Sequence, residues 1–473
     1  MGLLIRNGTL VNADGRRPAD VYCEDGLIAR IEEGIEPRAG DEEIDAAGRY
    51  VIPGGVDPHV HLSLRVAGTV SADDFVSGTA AALAGGTTTV IDFVHPERGE
   101  NWIEALAERR REAEGALADY ALHMAITWWG EPSRDWVRRC VEREGIPSFK
   151  TYMAYQDTVG LRDADLLRAM EAVAEAGGTV IVHAEHADLV EHLRERFAAR
   201  GDLAPRFHAL SRPPAAEGEA TARAIVLAAA TGVRLYVFHV TCRDAVEAIG
   251  RARWQGLPVA AETCPHYLLL DDSRYDGPGF EGADYICAPP LRPRAHQEAL
   301  WEGLGAGILD VVSTDHCPFD RGQRRRGERD FRLIPGGLAG VEHRLTLLFH
   351  HGVAEGRLSL ERFVDLVAAA PARLFGLYPR KGAIVVGSDA DLVVWDADAR
   401  QTLSAATHHH RCDSSPFEGF EVSGLPAVVV AAGRVAWREG ELSARPGDGR
   451  YLSRRSAEIS TTAPPKPDDT SRE

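Results

Sequence analysis

The most regular feature of the chain is a repeated alternation of helix-like and strand-like segments. Each unit has an alanine-rich stretch that ends in glycine and is followed by a run of β-branched residues. Glycine suits the left-handed position that closes a helix, and Val, Ile and Thr suit a strand covered on both faces. The clearest units are LAGGTTTVIDF, EAGGTVIVHAE, ATGVRLYVFHVT and GAGILDVVSTDH, which begin at Leu83, Glu175, Ala230 and Gly305.

Eight strand-like runs predict the architecture of the main domain. Eight strands that alternate with helices favour a (β/α)8 TIM barrel. An open doubly wound sheet is the alternative, but the first strand is not followed by the GxGxxG turn typical of that fold. The eight runs lie at residues 56–61, 88–93, 121–126, 147–152, 178–183, 234–239, 258–263 and 309–315.

The two ends of the chain have a different pattern of short strands and tight turns. LLIRNGTLV and VYCEDGLIARIEE contain Asn-Gly and Asp-Gly turns, and GAIVVGSDADLVVWD and AVVVAAGRVAWREGEL repeat the alternation of short strands near the other end. We therefore predict a small β-sandwich domain built from residues 1–54 and 378–445, around a barrel of residues 55–377. The polar tail at 446–473 is expected to be flexible.

Composition narrows the classes of partner. A formal net charge of −18 gives no general attraction for nucleic acid, and the basic run RGQRRRGERD is expected to be a solvated loop. Seven cysteines without a CxxC pair do not resemble a disulfide framework, and they fit a reducing cytoplasm. No signal peptide and no membrane-spanning apolar run are evident, so we expect neither a membrane nor a nucleic-acid partner.

Polar side chains that could take part in a metal site recur where the predicted strands end. The carboxyl ends of barrel strands converge on one face, where active sites are built, so these side chains should meet. Imidazole and carboxylate groups suit Zn²⁺, although ligand type alone leaves Mn²⁺, Fe²⁺, Co²⁺ and Ni²⁺ open. The residues are His59, His61, Lys150, His183, His239 and Asp315.

Lys150, in SFKTYMAY, is the unexpected member of this set. A lysine is rarely buried, and both burial and nearby positive charge favour its neutral amine. A neutral amine can add carbon dioxide to form a carbamate (N6-carboxylysine), an anion able to bridge two metals. The alternative is an ammonium group that pairs with Asp315 or reaches solvent.

Other histidines lack this position at a strand end. The run THHHR, at residues 407–411, is expected to be a loop outside the barrel rather than a metal site. The histidines predicted to be structural, or to support the ligands, are His95, His123, His186, His208, His266 and His343.

These residues stand in motifs that resemble the dihydropyrimidinase and D-hydantoinase group of cyclic amidohydrolases. The resemblance runs from about residue 3 to 440. It is carried by PGGVDPHVHLSLRVAGTVSADDFVSGTAAALAGGTTTVIDF, SFKTYMAYQD, ETCPHYLLL, APPLRP, TDHCPF and HHHRCDSSPFEGFEV, in that order.

The resemblance implies a metal-dependent hydrolase that opens cyclic amides, such as dihydropyrimidines or 5-substituted hydantoins, with a metal-bridging hydroxide. It implies two zinc ions bridged by carboxylated Lys150, one on His59, His61 and Asp315 and the other on His183 and His239. Asp315 would transfer the proton, and the Tyr155 hydroxyl would stabilise the oxyanion. The family is usually a homotetramer.

Several positions depart from the family pattern. The ring amide is expected to contact Tyr155 and the backbone at Ala288 and Gly336. The family often has Ser at the position of Ala288 and Asn at the position of Gly336. Leu64 and Arg65 lie in the loop that is expected to contact the ring substituent. Ser63, directly before them, stands where the family usually has an acidic residue. Arg65 either favours a polar or acidic substituent or simply faces solvent.

Two classes of alternative function remain. Allantoinase, dihydroorotase or imidase activity is possible on the same scaffold. Ser63 stands where dihydroorotases carry a substrate-binding arginine, and Tyr155 with SPFEGFEV fits the hydantoinase group better than allantoinases. A non-catalytic scaffold protein would have a broken metal site, whereas all six predicted ligands are present here.

Overall fold

The computed structural model describes residues 2–457 and 459, and its centre is an eight-stranded parallel sheet. We number these strands β1 to β8. Each is buried, as expected for strands rich in Val, Ile and Thr with helices packed outside them. Their bounds are Gly55–Asp57, Thr87–Val94, Asp119–Ala125, Ser148–Tyr152, Thr179–His183, Arg234–Val237, Val259–Thr263 and Val311–Val312.

The sheet curls into a barrel. Neighbouring strands pair in chain order from β1 to β8. Just beyond the strand ends, Val60 forms a parallel bridge with His316, and the His61 N–H donates to the His316 carbonyl oxygen at 2.8 Å. The predicted (β/α)8 barrel is therefore confirmed.

Helices separate the strands. The longer α-helices are Phe75–Ala84, Trp102–Glu112, Ser133–Arg139, Asp163–Glu175, Ala187–Ala199, Pro214–Thr231, Arg243–Trp254 and Ala295–Gly305. Shorter α-helices are Arg206–Leu210, Pro265–Leu269, Arg321–Arg324, Arg344–Leu348, Leu360–Val364 and Ala370–Leu374. Single π-helical turns occupy Cys140–Glu144, Phe349–Ala354 and Asp365–Ala369, and 3₁₀ turns occupy Ala113–Gly115, Asp272–Asp276, Glu281–Tyr285, Arg325–Gly327 and Phe331–Leu333. No described helix is both long enough and apolar enough to span a bilayer.

Strands from both ends of the chain form a second, separate sheet region. In spatial order the seven-stranded sheet contains Glu441–Leu442, Arg434–Arg438, Glu421–Ala431, Leu392–Thr402, Tyr50–Pro53, Thr9–Asn12 and Gly15–Pro18. The four-stranded sheet contains Leu27–Glu32, Asp20–Glu24, Leu3–Arg6 and Glu42–Asp45. Residues of both sheets share one apolar core, which includes Val21, Val51 and Leu392.

The segment after residue 446 begins against the barrel. Tyr451 forms a parallel bridge with Tyr120 of β3, and the Leu452 N–H donates to the Tyr120 carbonyl oxygen at 2.7 Å. Leu452 and Arg454 are buried. Within the tail expected to be flexible from 446, the residues that contact the barrel are therefore those around Leu452 and Arg454. Residues 458 and 460–473 lie outside the described residues.

Candidate metal centre

The six predicted ligands meet at one end of the barrel, although few of them lie within strands. Lys150 and His183 are inside β4 and β5. His59 and His61 follow β1, which ends at Asp57, while His239 and Asp315 follow β6 and β8. Pro58 removes a backbone donor directly after Asp57, so β1 is shorter than the alternating pattern predicted.

His59, His61 and Asp315 form one group of potential ligands. The two Nε2 atoms are 3.1 Å apart, and Asp315 Oδ1 is 2.9 Å from that of His59 and 3.2 Å from that of His61. His59 Nδ1 lies 2.6 Å from Glu262 Oε1, a contact in which the nitrogen donates its proton. In the neutral ring this tautomer leaves the Nε2 lone pair facing Asp315, an unfavourable contact that a proton or a metal ion at Nε2 would relieve.

The charges of these same residues set the pKa values within this group. Burial lowers the pKa of His59, but the charges of Asp315 and Glu262 outweigh it, so that the pKa is raised overall. Burial alone would raise the pKa of Asp315, but His59 and His61 hold it well below its usual range. The buried group therefore keeps one positive charge, which a proton or a metal ion can supply.

His183 and His239 form the second group. His183 Nδ1 is 3.0 Å from His239 Nε2. The other His183 nitrogen, Nε2, lies 2.7 Å from Glu185 Oε2 and donates to it, so the Nδ1 lone pair points at His239. Outer carboxylates that fix a histidine tautomer are typical of metal sites. The donor set and its tautomers therefore fit a metal at each pair.

Lys150 is buried near both pairs. Its Nζ lies 4.0 Å from the centre of the Phe238 ring, which stacks on His59, and no described carboxylate oxygen lies within 4.0 Å of it. Burial lowers the pKa of Lys150 to about 7, although Asp315 and Glu262 act in the opposite direction. An amine with this pKa is neutral in roughly half of the molecules near pH 7, and carbamate formation requires that neutral form.

Two buried carboxylates were missed by the sequence reasoning. Glu262, in β7, bonds His59 and also accepts the Tyr236 hydroxyl at 3.1 Å. Glu185 bonds His183 and is also bonded by the Arg212 guanidinium. Glu185 follows His183 by two residues in VIVHAEH, which is a usable sequence signal, whereas nothing in the sequence links Glu262 to His59.

Tyr155 lies beside the second group. Its ring centre is 5.3 Å from that of His183, and the Arg212 guanidinium is 5.2 Å from the tyrosine ring centre. Burial raises the pKa of the phenol, while Arg212 partly offsets that effect. The hydroxyl is therefore protonated near neutral pH and able to donate a hydrogen bond.

The segments that carry Ala288 and Gly336 are adjacent. The Gly337 N–H donates to the Ile286 carbonyl oxygen at 2.9 Å, and the Cys317 N–H donates to the Leu338 carbonyl oxygen at 2.9 Å. These bonds place both segments beside the loop that begins at Asp315. A Cβ atom at Gly336 would meet its nearest neighbour at 3.6 Å, so the position accepts a side chain.

Leu64 and Arg65 lie in the loop that follows His61. The Leu64 N–H donates to Ser71 Oγ at 2.8 Å, and that hydroxyl donates to the His61 carbonyl oxygen at 2.8 Å. The Arg65 side chain is 81% exposed, and its Nη2 lies 3.9 Å from Glu112 Oε1. This placement favours a solvent-facing Arg65 over contact with a substituent.

The run THHHR is a loop that packs against the barrel end. His409 Nδ1 lies 3.0 Å from Glu342 Oε1. His410 lies near Asp73 and His316, and these three could together surround an ion. However, His316 Nδ1 accepts the Gly340 N–H at 3.1 Å, so its Nε2 carries the proton that bonds Asp73 and has no lone pair for a metal.

Three of the other histidines predicted to be structural have protein partners, and two more, His266 and His343, are buried. His123 contacts Ser148 Oγ and the Pro58 carbonyl oxygen, His208 donates to the Cys287 carbonyl oxygen, and His186 caps a helix. His95 differs from these, because its ring stacks 5.9 Å from that of His61. Burial lowers the pKa of His95 to about 3.

Comparison with known proteins gives one consistent result. A profile described as "Amidohydrolase family" matches residues 50–436. A D-hydantoinase of Geobacillus stearothermophilus is 45% identical over 456 residues, which are 96% of this chain and 97% of the relative. A dihydropyrimidinase of Arabidopsis thaliana is 42% identical over 95% of this chain and 85% of the relative.

Solved structures agree with the sequence relatives. The crystal structure of dihydropyrimidinase from Brevibacillus agri has a TM-score of 0.95 at 42% identity, covering 97% of this chain and 99% of that one. L-hydantoinase from Arthrobacter aurescens has a TM-score of 0.87 at 31% identity, covering 96% and 99%. Relatives of opposite stereochemical name share the fold, so fold alone does not set the enantiomer.

Proposed function

The chain belongs to the amidohydrolase family and is a hydrolase of cyclic amide bonds of the D-hydantoinase and dihydropyrimidinase type, and we propose that it opens dihydropyrimidines or 5-substituted hydantoins at a centre of two zinc ions. The observation that carries this proposal is the pair of histidine groups whose lone pairs are fixed by Glu262 and Glu185. The buried Lys150 lies close enough to interact electrostatically with Asp315 of the first group and with His183 and His239 of the second.

The donor set supports a specific division of ligands. His59, His61 and Asp315 would hold one ion, and His183 and His239 the other. Lys150 would bridge them after its neutral amine adds carbon dioxide, forming an N–C bond and releasing one proton. The ions, when bound, supply hydroxide near neutral pH and polarise a ring carbonyl.

The reaction then depends on two protein groups. Asp315 is held ionised by His59 and His61, so it can accept the proton of the attacking water and return it to the ring nitrogen that leaves. The Tyr155 phenol stays protonated and can donate to the oxygen on which negative charge develops. Ring opening breaks the C–N bond and leaves a carboxylate and a ureido or amide group.

The ring amide would be held mainly by backbone groups near Ala288 and Gly336. The buried Arg324 contacts both segments: its guanidinium donates to the carbonyl oxygens of Pro335 and Gly337 at 3.2 and 2.6 Å, and to that of Ile286 at 3.5 Å. A backbone contact does not need the side chains that the family often has there. Leu64, held through Ser71 to His61, would contact the ring substituent.

A substrate panel tests this function. Dihydrouracil, 5-substituted hydantoins, allantoin and succinimide are incubated with the purified protein, and ring opening is followed by absorbance. We expect the first two classes to be hydrolysed by wild type. Hydrolysis of allantoin alone would replace our proposal by an allantoinase activity.

Metal analysis of the purified chain is the second measurement. Two zinc ions per chain are expected, whereas a chain without stoichiometric metal would favour a non-catalytic scaffold. The family resemblance also supports a homotetramer, which light scattering of the same sample would measure.

A further inference from the structure

His95 and Tyr152 form a hydrogen-bonded pair that the proposed reaction does not use. His95 Nε2 lies 2.9 Å from the Tyr152 hydroxyl oxygen. His95 comes one residue after β2, and Tyr152 is the last residue of β4, so both stand at the same end of the barrel as the predicted ligands.

The pair spans the two histidine groups. The His95 ring stacks 5.9 Å from His61 of the first group. The Tyr152 ring lies 6.0 Å from His183 of the second group and 6.4 Å from Tyr155. The Tyr152 ring centre is also 5.2 Å from Lys150 Nζ. A molecule bound at the centre would therefore contact this pair on one side.

The pair is also more exposed than five of the six predicted ligands, Asp315 being half-buried like the pair. His95 and Tyr152 are half-buried, while His59, His61, Lys150, His183 and His239 are buried. The pair is thus one of the parts of the centre that solvent can reach. A ring substituent that extends from the centre towards solvent on this side would meet the pair.

We infer that the Tyr152 hydroxyl, oriented by His95, hydrogen-bonds the ring substituent and selects cyclic amides that carry an uncharged polar substituent, such as a hydroxyl group. The inference rests on the proposed function and adds the substrate class. A phenol that shares one hydrogen bond with an imidazole keeps further donor or acceptor capacity. A hydroxyl substituent can satisfy either role.

The polar atoms of His95 and Tyr152 also disfavour an apolar substituent. An alkyl group placed against the pair would leave polar atoms without partners, which sites built for hydrogen bonding strongly reject. The inference differs from the Arg65 hypothesis, because a phenol and a neutral imidazole add no net charge and so do not favour a carboxylate.

The test compares two hydantoins of equal size. The 5-hydroxymethyl and 5-ethyl derivatives differ only by a hydroxyl in place of a methyl group, and kcat/KM is measured for both. We expect wild type to prefer the hydroxymethyl compound. Tyr152→Phe should lower the ratio of the two kcat/KM values about threefold to tenfold, as loss of one neutral hydrogen bond predicts. An unchanged ratio in Tyr152→Phe would overturn the inference.

Three further variants make the result specific. Tyr50→Phe makes the same chemical change in the small domain and should leave the ratio unchanged. His95→Leu should lower the ratio, and His95→Gln, which keeps a hydrogen-bonding side chain, should partly restore it. If Tyr152→Phe does not fold, equal ratios for His95→Leu and His95→Gln would overturn the inference instead.

Unsubstituted hydantoin distinguishes a failure of the inference from a failure of the proposed function. If wild type opens hydantoin but the ratio does not respond to these variants, the inference fails and the proposed function stands. If wild type opens dihydrouracil but none of these three rings, the inference alone fails. If it opens neither dihydrouracil nor these rings, the proposed function fails and the inference fails with it.

Discussion

At the scale of single residues, three side chains of the centre depend on an unusual backbone. Tyr155, His239 and Asp315 have φ values of 58°, 39° and 48°. This left-handed conformation costs an L-residue roughly 1–2 kcal/mol and persists only where the surroundings hold it. It turns each side chain out of the regular alternation of a strand. The strand pattern therefore predicts which residues meet but not how they are aimed.

Lys150→Ala tests the bridging role of the lysine. We expect bound metal and activity to fall together, with the rate lower by more than the roughly 10–100-fold that loss of an outer partner costs. A short carboxylic acid added in bicarbonate-free buffer should partly restore both, and the same acid added to wild type is the control. Two metals and full rate in Lys150→Ala would assign the lysine a purely structural role.

Glu262→Gln tests the control of the His59 tautomer. The amide retains the shape of Glu262 but not its charge, and it holds the Nδ1 proton of His59 less strongly. We expect metal affinity to fall about 10–100-fold, measured by competition with a chelator. Tyr236→Phe removes the other partner of Glu262 and should have a smaller effect. Equal affinities for Glu262→Gln and wild type would contradict this assignment.

At the scale of elements, a buried ion cluster joins the barrel to the small domain. Lys381 Nζ lies 2.6 Å from Asp119 at the start of β3, 2.6 Å from Asp391 beside the strand Leu392–Thr402, and 3.0 Å from Asp389. Arg450, from the C-terminal segment, contacts Asp119 and Asp389 as well. The two domains and this segment thus share one set of compensating charges.

Lys381→Met should destabilise the protein markedly. It leaves Asp391 without a cationic partner and leaves Asp119 and Asp389 to the partly exposed Arg450 and Arg380, and breaking a buried ion pair in this way costs about 3–5 kcal/mol. Arg6→Met, which breaks the surface pair with Glu43, is the control and should cost less than about 1 kcal/mol. Urea unfolding measures both, and equal losses would show that the cluster contributes little.

The sequence predicts the helices and strands of the barrel better than it predicts individual side-chain contacts. The barrel follows from eight strand-like runs that alternate with helix-like segments, and the ligands follow from their position near strand ends. Glu262 and Arg212 could not be predicted, because their contacts join residues far apart in the chain whose spacing carries no period. The packing of Leu452 was missed for a related reason, since a single apolar residue in a polar segment does not indicate what it contacts.

At the scale of the whole molecule, buried neutral histidines should make stability depend on pH. His208 is the clearest of them, since burial, with the charge of Arg212, lowers its pKa to about 3. Its Nε2 donates to the Cys287 carbonyl oxygen at 2.8 Å, so the folded state holds the neutral ring. An unfolded histidine has a pKa of about 6.5. Between these values the unfolded state binds one more proton at this position than the folded state does.

The direction of the effect follows from that proton. Stability due to neutral His208 is fully present above about pH 6.5 and is lost as pH falls towards 3, by up to about 1.4 kcal/mol per pH unit. His208→Gln can keep the hydrogen bond but does not titrate. The unfolding free energy of this variant, from urea curves at pH 6, 5 and 4, should therefore fall less steeply by about that amount. His192→Gln, at an exposed position, should leave the slope of wild type unchanged, and equal slopes for His208→Gln and wild type would show that His208 is already protonated in the folded state.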